Sequence, residues 1–235
     1  MHIAILMTNT DESGFAARHT KDGEKFTALI HQARPDWTTE VHPVKDGVFP
    51  DSLAGLDGII ITGSPASAQS DAPWVAQLLQ VIRDAYNAGV PVFGACFGHQ
   101  AVARALGGGL GMNDGPFVLG LVDVDVTAPA PWMANSPGKF RIAAAHQEQV
   151  IDLPGGAVVN SRGRGCRVRC FHSGARVFTT EYPPEMTEEF IAALIEELAD
   201  QYEPEVIERA RASLRRPADG GLFAEWIARY FEFSR

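Results

Sequence analysis

The sequence predicts an α/β domain with a mostly parallel sheet, flanking helices and a helical C-terminal tail. In its first half, short β-rich apolar runs alternate with amphipathic stretches, which is the pattern of parallel strands joined by crossover helices. From about residue 187 onward, apolar residues recur at helical spacing instead. The chain has 235 residues and no long linker rich in Pro, Gly or Ser, so we expect one domain over 1–235, with a core over 1–198 and the tail over 199–235.

The first half places four strands and two helices. The helix over 74–87 is the clearest, because Val75, Leu78, Leu79 and Ile82 share one helical face and Gly89 ends the run. Three consecutive isoleucines mark the third strand. The predicted strands cover 2–7, 37–41, 58–62 and 92–95, and the other predicted helix covers 24–33.

Beyond the glycine cluster at 107–109 the pattern changes, because successive strands follow one another without long helices between them. Hairpins are therefore expected in this part of the chain. The predicted strands cover 118–126, 140–144, 167–171 and 177–182. A helical region then begins with Thr187 as the N-cap of a helix over 187–202, which runs from the core into the tail, and helices over 204–214 and 222–231 follow.

Composition excludes several classes of partner. The net charge of -9 opposes binding to a phosphate backbone, and the basic run 162–169 is interrupted by glycine and cysteine, so we expect no nucleic acid. The apolar run 2–7 is too short for a membrane span and lacks the features of a signal peptide. Three cysteines, an odd number, do not resemble a disulfide framework, so a reducing cytoplasm is expected.

A metal site is not expected either. Cys166, Cys170 and His172 are donor types, but four residues along a strand separate the two cysteines by about 13 Å, too far to share an ion or a disulfide. We expect neither a metal nor another cofactor.

The segment 91–100 joins a buried strand to a helix through Gly-x-Cys-x-Gly, the cysteine form of the nucleophile elbow. Such a turn forces its central residue, here Cys96, into a strained backbone conformation. Gly94 and Gly98 are then needed to avoid side-chain collisions. Cys96 is also predicted to lie at a helix N-terminus, where the positive end of the helix dipole favours the thiolate.

Gly-Ala-Cys-Phe-Gly-His-Gln at 94–100 resembles the nucleophile motif of the class I glutamine amidotransferases, in particular the stand-alone relatives of the guanylate synthase amidotransferase domain. Ile-Thr-Gly-Ser-Pro at 61–65 resembles the family's oxyanion loop, and Ala-His-Gln-Glu-Gln-Val at 145–150 resembles its His-Gln-x-x-Val segment. The similarity runs to about residue 198. It implies a doubly wound, flavodoxin-like fold.

The resemblance also implies a chemistry. In this family the cysteine attacks the side-chain amide of glutamine, giving a γ-glutamyl thioester and ammonia, and water then releases glutamate. By this resemblance the backbone N–H groups of Gly63 and Phe97 form the oxyanion hole. The ligand-binding residues implied are Gly63, Ser64, Gln100 and His146.

The second family signature is Gln-Phe-His-Pro-Glu, in which histidine is the general base and glutamate orients it. This chain has Glu-Tyr-Pro-Pro-Glu at 181–185, so Glu185 matches the family and Pro183 stands in place of the histidine. Proline has no side chain that can move a proton. Without its histidine, Glu185 is expected to disfavour the thiolate of Cys96 by like-charge repulsion.

Other histidines could supply a base. His146 is the best candidate, because the corresponding family segment lies beside the active-site cleft, although a structural hydrogen bond is the more ordinary role for such a residue. His99 belongs to the ordinary motif and is expected to be structural. His172 is expected to be an exposed strand residue.

Three functions follow from the sequence. The first is a protein that is degenerate in glutamine hydrolysis but keeps a pocket for a γ-glutamyl-type ligand. The second is an active cysteine-dependent amidohydrolase that uses His146 or a water network as its base. The third is a non-catalytic interaction subunit. Any synthetase or acceptor partner is expected to be a separate chain, because no second domain follows.

Overall fold

A computed structural model describes residues 1–163 and 166–235 of the chain. Eleven strands and seven α-helices lie within these residues. The strands are β1 (His2–Met7), β2 (Thr38–Pro43), β3 (Gly58–Ile61), β4 (Val92–Ala95), β5 (Gly109–Met112), β6 (Val118–Val126), β7 (Lys139–His146), β8 (Glu148–Asp152), β9 (Val158–Gly163), β10 (Cys166–Ser173) and β11 (Val177–Thr180). The helices are α1 (Gly14–Ala17), α2 (Asp22–Ala33), α3 (Pro73–Ala88), α4 (Phe97–Ala105), α5 (Glu188–Glu197), α6 (Pro204–Ser213) and α7 (Gly220–Phe233).

Nine strands form one mixed sheet in the order β2-β1-β3-β4-β11-β10-β9-β6-β7. The five strands from β2 to β11 are parallel to their neighbours, and the pairs from β11 to β7 are antiparallel. This arrangement confirms the predicted fold class, including the change to hairpins in the second half. The carboxyl ends of β3, β4 and β11 meet at one edge, where parallel α/β sheets bind their ligands.

Both faces of the parallel half are buried, because side chains of a strand alternate between the two faces. In β1, Ile3 and Ile5 pack in the layer that contains α2 and α7, whereas Ala4 and Leu6 pack in the layer that contains α3 and α4. A third cluster lies under α5 and α6, against β6 and β7. These layers hold the edge that carries the nucleophile turn.

The periodicity of the sequence did not predict three of the strands and one of the helices. Strands β5 and β8 form a separate two-stranded antiparallel sheet, and β9 pairs with β10 and β6 in the large sheet. The short helix α1 has Ser13 as its N-cap. Of the basic run at 162–169, Arg164 and Gly165 lie outside the described residues.

The first helix of the tail differs in length from the prediction. Thr187 caps α5 as expected, since its Oγ1 accepts the N–H of Phe190 at 3.2 Å. The helix ends at Glu197, whereas a helix to residue 202 was predicted, and this endpoint is wrong. Pro204 begins α6, and a proline restricts the residue before it to extended backbone, so the chain must turn between the two helices.

Helix α7 lies deep in the domain rather than on its surface. Trp226, Tyr230 and Phe231 are almost completely buried in the core layer beside α2. The Tyr230 hydroxyl accepts the N–H of Val92 and donates to the Val92 carbonyl, both at 3.1 Å. The C-terminal helix therefore supports β4, the strand that leads into Cys96.

Candidate active site

Cys96 lies at the turn between β4 and α4 with φ 50° and ψ −111°, a left-handed conformation that a non-glycine residue rarely adopts. The prediction of a strained strand-to-helix turn is confirmed. A Cβ on Gly94 would lie 2.6 Å from the carbonyl oxygen of Gly98, and a Cβ on Gly98 would lie 2.4 Å from that of Ile61. Both glycines are therefore required by close approaches of the backbone.

Gly63, at the turn after β3, lies directly beside Cys96. A Cβ at Gly63 would be 3.5 Å from the Cys96 Cβ and 4.0 Å from Oε1 of Glu185. The cysteine and the carboxyl therefore flank the same glycine. The Thr8 hydroxyl lies 3.0 Å from the carbonyl oxygens of both Thr62 and Gly63. Thr8, which no sequence motif singled out, thus holds the turn against β1.

A cavity of about 670 Å³ opens above Cys96. Seven of the candidate site residues predicted from the sequence contribute to its wall, whereas Phe97 and His99 do not. The members of this group are Gly63, Ser64, Cys96, Gln100, His146, Pro183 and Glu185. The structure therefore brings the candidate site residues together around one space.

The N–H of Phe97 donates to the Cys96 sulfur and favours the thiolate, as a helix N-terminus should. This effect is outweighed, because burial and the nearby carboxyls of Glu181 and Glu185 raise the pKa of the thiol well above its ordinary 9.0. The helix N-terminus therefore acts in the expected direction, but it does not make the thiolate the favoured form. Repulsion by Glu185, which was expected, is one of the contributing causes.

Glu181 is the most important residue that sequence reasoning missed. Its side chain is completely buried behind Cys96, and burial raises its pKa well above the ordinary 4.5. Its Oε1 accepts a hydrogen bond from Nε2 of Gln100 at 2.8 Å, and its Oε2 lies 3.4 Å from Nε2 of His99. A signal was present, since the family signature has an uncharged glutamine where this chain has an acidic residue.

Gln100 is more constrained than its predicted role in ligand binding implies. Besides Glu181, its Nε2 donates to the carbonyl of Glu148 at 3.0 Å, so both amide protons are engaged within the protein. Only its Oε1 remains to accept a bond from a ligand. Gln100 thus connects the buried carboxyl to the strand that carries Glu148.

His146 contributes a buried imidazole to the cavity wall. Its Nδ1 lies 3.2 Å from the carbonyl oxygen of Glu148, which can only accept, so Nδ1 carries the proton. Its Nε2 is buried without a hydrogen-bond partner. Burial lowers the pKa of His146 to about 4, so the ring is neutral near pH 7 and Nε2 has a free lone pair.

Glu185 is also buried, and its two carboxyl oxygens have no hydrogen-bond partner. Burial, followed by the nearby charge of Asp22, raises its pKa to about 8, whereas the dipole of its own backbone N–H and then the charge of Lys25 oppose the shift. Asp22 accepts hydrogen bonds from Asn9 at 2.7 Å and from Lys25 at 2.9 Å. Glu185 is therefore mostly protonated at neutral pH, which avoids an unpaired charge in the protein interior.

The remaining histidines and cysteines lie elsewhere. His99 is buried behind the elbow, with Nδ1 2.8 Å from the Thr179 hydroxyl. His172 is half-buried and not exposed as expected, because its ring packs against Trp132 and bonds to Asn160. Cys166 and Cys170 are buried free thiols on β10.

Over 1–163 and 166–235, no cluster of three or more His, Cys, Asp or Glu side chains has the arrangement of a metal site. In the same part of the chain, no helix combines the length and apolar character needed to cross a bilayer.

The chain is similar to known proteins over most of its length. Residues 23–193 match the family model described as "Glutamine amidotransferase class-I". "Gamma-glutamyl peptidase 3" of Arabidopsis thaliana is 28% identical over 199 residues, which cover 80% of this chain and 79% of that protein. "Gamma-glutamyl-L-1-hydroxyisopropylamide hydrolase" of Pseudomonas sp is 28% identical over 175 residues, which cover 70% of this chain and 59% of that protein.

A solved structure shares the fold. The glutamine amido transferase from Methylobacillus flagellatus aligns with a TM-score of 0.78 and 21% identity, covering 99% of this chain and 94% of the other. At this level of identity the likeness concerns the fold alone.

Proposed function

Because the chain belongs to the class I glutamine amidotransferase family, we propose that its cavity binds γ-glutamyl compounds and that its hydrolysis of glutamine is degenerate. In this proposal Cys96 is the residual nucleophile, the N–H groups of Gly63 and Phe97 form the oxyanion hole, and Ser64 and Gln100 contact the ligand. The two relatives above are named for γ-glutamyl substrates, which supports this class of ligand.

One observation carries the proposal. In residues 1–163 and 166–235, no imidazole nitrogen is hydrogen-bonded to the Cys96 sulfur, and Pro183 lines the cavity beside Glu185. The correspondence of Pro183 with the family histidine stays a prediction of the motif. Loss of a general base or acid typically slows a reaction by about 100-fold to 10,000-fold.

The neighbouring imidazole does not compensate for this loss. The pKa of Cys96 is raised well above 9.0 and that of His146 is lowered to about 4, both chiefly by burial, so transfer of the proton from the sulfur to this nitrogen is unfavourable. Glu185, with a pKa of about 8, is better matched to the thiol once it is ionised. Any residual acylation should therefore rise with pH through the titration of Glu185.

The oxyanion hole and the proton-transfer groups of the site differ in their dependence on side chains. Backbone donors of an oxyanion hole are independent of side chains, and each contributes roughly 3 kcal/mol in comparable sites. Proton transfer requires a side chain of suitable pKa. A γ-glutamyl thioester or activated ester needs no proton on its leaving group, whereas glutamine must expel ammonia. We therefore expect slow acylation by activated compounds and negligible glutaminase activity.

The experiment compares these two reactions on the same protein. Cys96 attacks the γ-carbonyl of a γ-glutamyl thioester, the carbon-sulfur bond to the leaving thiolate breaks, and the Cys96 proton passes to water or to ionised Glu185. Intact-protein mass spectrometry should detect the γ-glutamyl adduct, and Cys96→Ala should lack it. An ammonia assay with glutamine should show negligible turnover.

A recruited-base enzyme is the second candidate, and the free Nε2 of His146 is the observation in its favour. Brisk ammonia release by the unmodified protein, abolished in His146→Ala, would establish that enzyme and overturn the degenerate site. If the protein neither binds γ-glutamyl compounds nor forms the adduct, the interaction subunit remains, with a separate partner chain.

A further inference from the structure

We propose that the cavity selects γ-glutamyl amides whose amine part is apolar and uncharged, and that it discriminates against amino-acid and polyamine leaving groups. This inference rests on the proposed function, because it places the γ-glutamyl group at Cys96. It adds a second subsite, at the other end of the same cavity, which receives the substituent on the amide nitrogen.

The wall of the cavity has two chemically different parts. One part contains Cys96 with its polar neighbours. The other part, called the apolar end below, consists of six apolar or aromatic side chains that are only half-buried, and five of the six pack against the third core cluster. They are Phe117, Met186, Phe190, Leu194, Leu198 and Tyr202.

Helix α5 and the turn after it provide most of the apolar end. Phe190, Leu194 and Leu198 are spaced four residues apart, so they lie along one side of the helix. Ile191 and Ile195, on the adjacent side, are completely buried against the third core cluster. One side of α5 thus holds the helix in place, and the neighbouring side presents apolar surface to the cavity.

An aromatic pair belongs to the same end. The rings of Phe117 and Tyr202 are stacked, with centroids 4.4 Å apart and planes 21° apart. Phe117 precedes β6, whereas Tyr202 lies between α5 and α6, so the pair joins distant parts of the chain. Half-exposed apolar surface that lines the same cavity as the nucleophile turn is typical of a ligand subsite.

The charges around the cavity restrict the ligand further. Among the described residues, no lysine or arginine lines it, whereas Asp11, Asp22, Glu148 and Glu185 do. Every γ-glutamyl ligand already brings one α-carboxylate and one α-ammonium group into this cavity. A second carboxylate, on the leaving group, would add repulsion from these acids without gaining a lysine or arginine partner. Lys25 contacts the Phe190 ring from outside the cavity wall, and it is already paired with Asp22.

A positively charged leaving group gains little from these acids. Asp22 is paired with Lys25 and bonded to Asn9. Asp11 accepts the N–H of Ser13 at 2.9 Å, and Glu148 accepts hydrogen bonds from Ser67 and Gln69. Glu185 is mostly protonated at neutral pH. An ammonium group would also have to lose its water shell among six apolar side chains, which is unfavourable.

The size of the cavity is in accord with a substituted amide. About 670 Å³ falls in the range of sites for drug-sized ligands and exceeds what the small side-chain amide of glutamine requires. The surplus space lies against apolar side chains, where each buried methylene group of a ligand strengthens binding.

The test measures equilibrium binding to Cys96→Ala, in which acylation cannot occur. The ligands are γ-glutamyl amides with N-ethyl, N-pentyl, N-(4-aminobutyl) and N-(3-carboxypropyl) groups, titrated by calorimetry at pH 7. The pentyl and aminobutyl groups have the same length and differ in charge. We expect the pentylamide to bind at least about tenfold more tightly than the ethylamide, since burying two methylene groups suffices for that factor.

Leu194→Ser, added to Cys96→Ala, tests the position of the subsite. The ratio of pentylamide to ethylamide affinity should fall by at least about fivefold, because a polar hydroxyl replaces the apolar contact. Leu53→Ser is the matched control, a half-buried leucine outside the cavity, and should retain the parent ratio. Thermal melts establish that each variant is folded. The comparison of the four ligands in Cys96→Ala alone does not depend on either leucine substitution.

The possible outcomes separate the two proposals. If the ethylamide binds but the pentylamide gains nothing, or if the aminobutyl or carboxypropyl amide binds most tightly, the apolar subsite is refuted and the γ-glutamyl pocket stands. If no amide binds and no adduct forms on Cys96 with the thioester, both proposals fail.

Discussion

Glu185 should make the folded protein less stable as the pH rises. Its carboxyl is buried, carries no hydrogen bond to either oxygen and has a pKa of about 8 instead of 4.5. We therefore expect Glu185→Gln, which has the same shape and cannot ionise, to reduce the dependence of stability on pH.

The sign and size of the effect follow from the two pKa values. Between pH 4.5 and pH 8 the folded chain keeps a proton that the unfolded chain has released, so unfolding becomes more favourable as pH rises. The contribution of Glu185 to the free energy of unfolding is therefore complete below pH 4.5, the pKa in the unfolded chain. It is lost as the pH rises towards 8, the pKa in the folded chain. Each pH unit in that window corresponds to about 1.4 kcal/mol, so roughly 3 kcal/mol disappears between pH 5 and pH 7.5.

Urea unfolding at several pH values, followed by the fluorescence of the four tryptophans, measures this slope. The amide of Glu185→Gln is buried with unpaired polar atoms of its own, which changes the absolute stability. The informative quantity is therefore the change of the free energy of unfolding with pH. Glu208→Gln, at an exposed position of α6, is the matched control and should retain the parent slope. If Glu185→Gln shows the same dependence of stability on pH as the parent protein, Glu185 is not the buried carboxyl that binds the proton.

Three further results are expected. Pro183→His should raise ammonia release from glutamine by restoring an imidazole beside Glu185, and an unchanged rate in a folded variant would contradict the motif alignment. Glu181→Gln should speed alkylation of Cys96 by iodoacetamide at pH 8, because a carboxyl that raises the thiol pKa is removed; an unchanged rate would mean that this carboxyl does not affect the sulfur. Trp226→Ala should lower the free energy of unfolding by about 3–5 kcal/mol in urea, and a loss below 1 kcal/mol would contradict its place in the core.

The parallel half of the fold could be predicted because each strand is short, apolar and separated from the next by a helix of clear period. The strands β5, β8 and β9 could not, for physical reasons. Strand β5 contains two glycines in four residues and lies half-exposed against β8, so it shows no alternation of apolar and polar residues. Its existence depends on pairing between segments distant in sequence, which local periodicity does not report.

The end of α5 and the burial of α7 show a related limit. Apolar residues at helical spacing continue past Glu197, and they are explained by the cavity: Leu198 and Tyr202 line it from the turn rather than from the helix. The apolar composition of α7 was visible, but its position under β4 was not. That position depends on the bonds of Tyr230 to Val92, which join residues far apart in the chain.

The site could be predicted where backbone geometry dictates the residue type. Gly94 and Gly98 have no alternative at such close approaches, so the elbow is visible in the sequence. Glu181 was missed as a site residue because its effect on Cys96 depends on burial rather than on spacing. The same burial outweighs the influence of the helix N-terminus, which by itself lowers the pKa of the thiol.

The segment 181–185 explains why the site is poorly suited to activate its cysteine. All five of its residues are buried, and its two glutamates lie near the Cys96 sulfur. Among the described residues, no imidazole forms a hydrogen bond that links either carboxyl to that sulfur. In a low-dielectric interior, unpaired carboxyls take up protons instead of remaining charged, and a thiol there stays protonated for the same reason. An imidazole at 183 would supply a positive charge to stabilise both a thiolate and a carboxylate. Without it, the thiol, Glu181 and Glu185 all favour their neutral forms, which suits the binding of a neutral amide but not its attack by sulfur.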